Sequence, residues 1–216
     1  NSKSWSLWNT LVESCKEFRA RTEAQGKKSG TTAIAADNPV VAKKDAAKAD
    51  VEAARKAKED AIKANPNLTQ AEKDAAIAKN NTAAEEAIKA IDSATTNDAV
   101  DKAKEAGTGA VEAINPEAKA KPEAKKAVDD ALKAKVAAID AREDLTPAEK
   151  QAAKEKAAEE AKKAKEAIDA ATTDAAVDTA KTAGTGEIAK VNPVAKEAAK
   201  QAIADELAEK EKAIDA

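Results

Sequence analysis

The sequence predicts an all-α protein of tandem three-helix bundles with a 77-residue period, forming an elongated rod. Three observations carry that reading. The first is composition: 36 % of residues are charged and 1 % aromatic, Gly and Pro number six each, and Tyr, Met and His are absent. Such a chain has too few turn formers for a β-rich fold, and alanine-rich sequences interleaved with acidic and basic residues form long helices. Alanine is the cheapest residue to place there because it has no side-chain entropy to lose.

The second observation is a gapless internal repeat. Leu68-Thr69-Gln70-Ala71-Glu72-Lys73 recurs 77 residues later as Leu145-Thr146-Pro147-Ala148-Glu149-Lys150. The same shift carries Ile91 onto Ile168, Thr95-Thr96 onto Thr172-Thr173, and Gly107-Thr108-Gly109 onto Gly184-Thr185-Gly186. Asn38-Pro39, Asn115-Pro116 and Asn192-Pro193 share that spacing. The expected units are 38–114 and 115–191, followed by the first helix of an incomplete third at 192–216.

The third observation is that cap residues recur where helices should begin. Asn-Pro is expected to open the first helix of each unit, with Asn38, Asn115 and Asn192 as N-caps and Pro39, Pro116 and Pro193 at the first helical position. Val51, Arg55, Lys58 and Ile62 form one stripe of this helix, and Val128, Leu132, Lys135 and Ile139 form its counterpart. The second helix opens on a capping box, Thr69 with Glu72 and Thr146 with Glu149. It carries Ile77, Ala84, Ile88 and Ile91 in unit one. The third helix follows the double threonine, with Val100, Ala103, Gly107, Val111 and Ile114 on one face. Glycine inside a helix costs about 1 kcal/mol relative to Ala, so Gly107 and Gly184 on that face predict a neighbouring helix crossing close by. Each unit then reads as an up-down-up bundle about 30 Å long. No Gly/Ser-rich linker separates Ile114 from Asn115 or Val191 from Asn192, which predicts stiff junctions.

Residues 1–37 are different. They hold Trp5, Trp8, Phe18 and the single cysteine, Cys15. Trp8, Leu11, Cys15 and Phe18 fall at helical spacing, so residues 4–24 predict an amphipathic helix. Three readings stay open: a capping helix or flanking sequence from outside the repeats, an interaction face built on Trp5, Trp8 and Phe18, or a segment without fixed structure.

Missing residue types exclude most chemistry. Without His no Ser-His-Asp or Cys-His arrangement exists, nor any His-ligated zinc. Cys15 has no second thiol with which to form an internal disulfide or a metal site. Gly107-Thr108-Gly109 lacks the lysine of a phosphate loop, and the paired carboxylates Glu85-Glu86 and Glu159-Glu160 sit among lysines as a solvated face. No catalytic, cofactor-binding or metal-binding residue is therefore expected, and the chain is not expected to be an enzyme. A formal net charge of −3, from 37 basic and 40 acidic residues, offers no basic footprint for nucleic acid. No apolar run approaches the ~18 residues of a transmembrane helix. The N-terminus lacks a signal-peptide pattern, and a monomer is expected.

Asn-Pro, then LTxAEK, then AIKAIDSATTNDAVDKAKEAGTGAVEAI at 87–114 resembles the repeat known as domain of unknown function 1542. That repeat occurs in long arrays in cell-wall-anchored surface proteins of Gram-positive bacteria, including matrix-binding proteins and adhesins. The resemblance covers about residues 38–216, with no counterpart for 1–37. It implies a helical stalk located outside the cell at the bacterial wall, and it supplies no catalytic or ligand residues. The leading expectation is a structural spacer that projects an adhesive domain. The alternative is a repeat module that itself binds a host matrix or plasma protein, such as fibronectin, albumin or immunoglobulin, by weak multivalent contacts. Interface anchors are usually aromatic or Arg, and the repeats hold only Arg55 and Arg142. A third option is a self-associating array.

Overall fold

Each stretch between successive polar caps folds as a helix. The computed structural model describes residues 8–13 and 39–215. Within 39–215 the helices are α1 Pro39–Ala64, α2 Gln70–Ser93, α3 Asn97–Glu112, α4 Ala120–Asp140, α5 Pro147–Ala170, α6 Asp174–Lys190 and α7 Lys196–Asp215. Residues 8–13 are also helical, and no strand occurs among the described residues. The chain divides into two compact units, 1–117 and 118–216. In the first, α1, α2 and α3 each pack against the other two; in the second, α4, α5 and α6 do the same.

The starts of the second and third helices follow from local chemistry. At α2, the Glu72 amide donates to Thr69 Oγ1 at 3.4 Å and the Thr69 amide donates to Glu72 Oε1 at 2.9 Å. At α5 the corresponding Thr146 and Glu149 bonds measure 3.1 and 2.9 Å. Thr96 and Thr173 each accept from the amide three residues on, at 3.1 Å. Each bond satisfies a donor that the first helical turn would otherwise leave orphaned.

The cores are thin. Val51, Ile91, Val100 and Val111 are fully buried in the first unit, as are Val128 and Ile168 in the second. Alanine supplies much of the rest: α5 contributes Ala153, Ala157, Ala161 and Ala164. Small side chains let backbones approach, and the glycines mark where they do so most. A methyl added at Gly107 would fall inside contact distance of Ala87 Cβ and 3.4 Å from its Cα. At Gly184 it would meet Ala164 in the same way. Gly109 and Gly186, two residues further on, have nothing within 4 Å of that position.

The helix C-termini are closed by lysines from neighbouring helices. No described residue has positive φ, so no helix here ends in the left-handed glycine turn that commonly satisfies terminal carbonyls. Instead, Lys73 Nζ donates to the Lys63 carbonyl at the end of α1 at 2.7 Å, and Lys150 donates to that of Asp140 at the end of α4 at 2.9 Å. Lys44 and Lys121 reach the Asp92 and Asp169 carbonyls at 2.8 and 2.7 Å. Lys58 and Lys135 reach the ends of α3 and α6. An ammonium at this end also complements the negative pole of the helix dipole.

The expected opening of the first helix by Asn-Pro is corrected in two copies. Helix α4 starts at Ala120, after a non-helical stretch at 114–119, so Asn115 and Pro116 lie ahead of it. Its N-cap is Lys119, which makes no side-chain cap bond. Pro122 explains the shift. In a helix begun at Pro116 it would occupy the interior, lacking a donor and clashing with the carbonyl of Ala118; from Ala120 it sits harmlessly in the first turn. Helix α7 starts at Lys196, beyond Asn192-Pro193. There the connection is pinned in place: Arg142 Nη1 donates to the Pro193 carbonyl at 2.8 Å, and Ala195 is buried with Ile139, Leu145 and Ala153. In the first copy α1 does begin at Pro39, and Asn38 lies outside the described residues.

Candidate functional site

The most distinctive chemistry sits on the face shared by α1 and α2. Arg55 stands where the stripe of α1 turns toward the core, one turn beyond Val51, and is only 5 % exposed. Its guanidinium is gripped from one turn on either side. Nε and Nη2 donate to the two carboxylate oxygens of Glu52, both at 3.0 Å, and Nη1 donates to buried Glu59. Lys63 Nζ lies 2.9 Å from the other Glu59 oxygen. From α2, Asn81 Oδ1 accepts from Arg55 Nη1 at 3.4 Å, while Asn80 Nδ2 donates to the Arg55 backbone carbonyl at 2.9 Å. Burial pulls the Arg55 pKa down, but the hydrogen bonds it donates to Glu52 and Glu59 more than offset this and hold it above its ordinary value. Breaking such a buried pair by removing one partner costs on the order of 3–5 kcal/mol, because the other charge is left uncompensated.

Trp8 closes this cluster from outside. Its ring lies with Arg55 Cζ 4.4 Å from the centroid, within the range of a cation–π contact. Trp8 is fully buried and belongs to the same apolar cluster as Val51, Ala84 and Ile88, with Leu11 and Val12 packed alongside. Two polar atoms in this region, Trp8 Nε1 and Asn80 Oδ1, are buried without a hydrogen-bond partner. Trp5, Cys15 and Phe18 lie outside the described residues, as does most of the amphipathic helix expected at 4–24.

The second unit has no such site. One repeat further on, Arg55, Glu59, Asn80 and Asn81 become Leu132, Val136, Ala157 and Ala158, and Ile88 becomes Lys165. Lys165 is partly exposed and pairs with Asp129 at 2.9 Å. The second arginine of the repeats, Arg142, works elsewhere. It donates to both oxygens of Asp144, at 2.9 and 2.6 Å, and to the Pro193 carbonyl. Beside that connection, the ends of α5 and α6 and residues 191–194 line an open groove of about 580 Å³.

The remaining residues singled out above have structural places. Thr69, Glu72, Thr146 and Glu149 form the two capping boxes, and Gly107 and Gly184 are the helix crossings. Asn115 is exposed and Pro116 half-buried in the stretch before α4, as are Asn192 and Pro193 before α7. Among the described residues, no group of three or more His, Cys, Asp or Glu could hold a metal ion. No described helix is long and apolar enough to cross a membrane. What the local patterns did not reveal was the Trp8–Arg55 contact and the destinations of the capping lysines. The available signals were an arginine on an otherwise apolar stripe and the lysine that closes each LTxAEK motif.

The family described as Domain of Unknown Function (DUF1542) matches this chain twice in succession, at 43–119 and 120–196. Each match spans one 77-residue period, in a frame displaced by five residues from the one opened on Asn-Pro. The second window begins where α4 begins. No curated protein and no solved structure matches the chain.

Proposed function

The chain belongs to the DUF1542 family, and on that premise we propose that its repeats act as a structural spacer, a stalk segment that holds an adhesive domain away from the bacterial cell wall. The observation that carries this reading is that each repeat closes on itself. Its three helices bury their stripes against one another, and its lysines and threonines satisfy its own helix ends. A unit complete in this way can be added in series, so that repeat number sets length. The absence of Gly and Ser from the connection at 113–119 supports the same reading.

Binding of a host protein by the repeats themselves is less well supported. Arg55 is buried and ion-paired, and Arg142 is engaged with Asp144 and Pro193. The usual anchors of a protein interface are thus committed inside the fold. Small-angle scattering on this chain and on one with residues 120–196 duplicated tests the spacer. The maximum dimension is expected to grow by a constant increment per repeat; a near-spherical particle whose radius grows only slowly overturns it. Specific retention of one plasma protein on the immobilised chain would favour the binding module instead.

A further inference from the structure

We propose that the first repeat carries a recognition site for a tryptophan-bearing helical segment, built from Arg55, Glu59, Asn80, Asn81 and Ile88, and that the segment around Trp8 is its occupant. The comparison between the two repeats of this chain carries the argument. At several buried positions of the three-helix core the repeats agree: Val51 and Val128, Ile62 and Ile139, Ala84 and Ala161, Ile91 and Ile168. Around Arg55 and Ile88 on the α1–α2 face they diverge together. The first repeat has an arginine, a glutamate, two asparagines and an isoleucine; the second has Leu132, Val136, Ala157, Ala158 and Lys165.

A three-helix bundle therefore folds without the polar cluster, as the second repeat demonstrates. Besides joining α2 to α1 through Asn80 and Asn81, the cluster carries Trp8 over the Arg55 guanidinium. The indole stacks on the guanidinium that Glu52 and Glu59 hold flat. Ile88 is buried in the same cluster as Trp8, with Leu11 and Val12 packed against it, whereas its counterpart Lys165 is partly exposed and paired with Asp129. A planar cation with its edges tied by carboxylates leaves only its faces free, which suits an aromatic ring. The segment is thereby directed to one of the two repeats.

The test uses the full chain in a W5F background, so that Trp8 is the only indole. Replacing the cluster by the residues of the second repeat (R55L, E59V, N80A, N81A and I88K together) preserves residues already known to fit this bundle; unchanged helicity by circular dichroism verifies folding. Acrylamide quenching of Trp8 is expected to rise several-fold in this variant. In parallel, a labelled peptide of residues 1–24 is expected to bind the W8A chain and to lose binding when the cluster is also replaced. Unchanged shielding of Trp8 in the folded cluster variant, or equal peptide binding with and without the cluster, overturns the proposal.

Discussion

The ammonium of Lys58 reaches from α1 to the end of α3, donating to the Ile114 carbonyl at 2.9 Å and to that of Glu112 at 3.0 Å. Lys135 makes the equivalent pair of bonds to Val191 and Ala189, both at 3.0 Å. A residue on the apolar stripe of the first helix thus closes the third. Lys58→Met keeps the aliphatic stem and removes the donor. It is expected to destabilise the chain by about 1 kcal/mol, the net value of one such charge-assisted closure. Urea unfolding measures this, and the amides of residues 109–113 should exchange faster.

The two glycines of each Gly-Thr-Gly triplet should respond with opposite sign. Gly107→Ala drives a methyl into Ala87, and overpacking of this kind costs about 1–3 kcal/mol. Gly109→Ala meets open space and removes a helix-interior glycine, a gain of up to about 1 kcal/mol. Gly184 and Gly186 should repeat the pattern. Thermal melts of the four variants test it, and a loss of stability at Gly109 would contradict the assignment.

Thr146→Ala removes the oxygen that accepts from the Glu149 amide. The expected loss is about 1 kcal/mol, with faster exchange of the Glu149 amide. Thr146→Ser should retain most of the stability, because the hydroxyl is the working group.

Asp144 should titrate below 3.8. Its hydrogen bond with Arg142 is the largest influence and holds the pKa down. Because the folded-state value is depressed, the pairing is intact above the ordinary aspartate range and is lost as pH falls through that lowered value. An NMR titration of the Asp144 carboxyl reads this directly, and Arg142→Ala should return the midpoint toward 3.8. No effect near neutral pH is expected.

Part of the architecture was legible because it is local. Thr69 and Glu72, three residues apart, satisfy each other's backbone amides whatever surrounds them. Gly107 at helical spacing between Ala103 and Val111 announced a crossing, since nothing else justifies a glycine there. The start of α4 was harder to read because Pro116 and Pro122 both invite a helix start, and only one can sit in its first turn.

The sequence by itself determined the helices, the threonine-capped starts of the second and third helix of each repeat and the 77-residue period, because backbone hydrogen bonding and apolar spacing act over a few residues. Tertiary structure decided where the long polar side chains go. Lys58 and Lys121 find carbonyls 56 and 48 residues away, and Arg55 is buried under a tryptophan from outside the repeat. A lysine at helical spacing reads the same whether its ammonium faces water or closes a neighbouring helix. Only packing, which sets the distance to that helix end, separates the two.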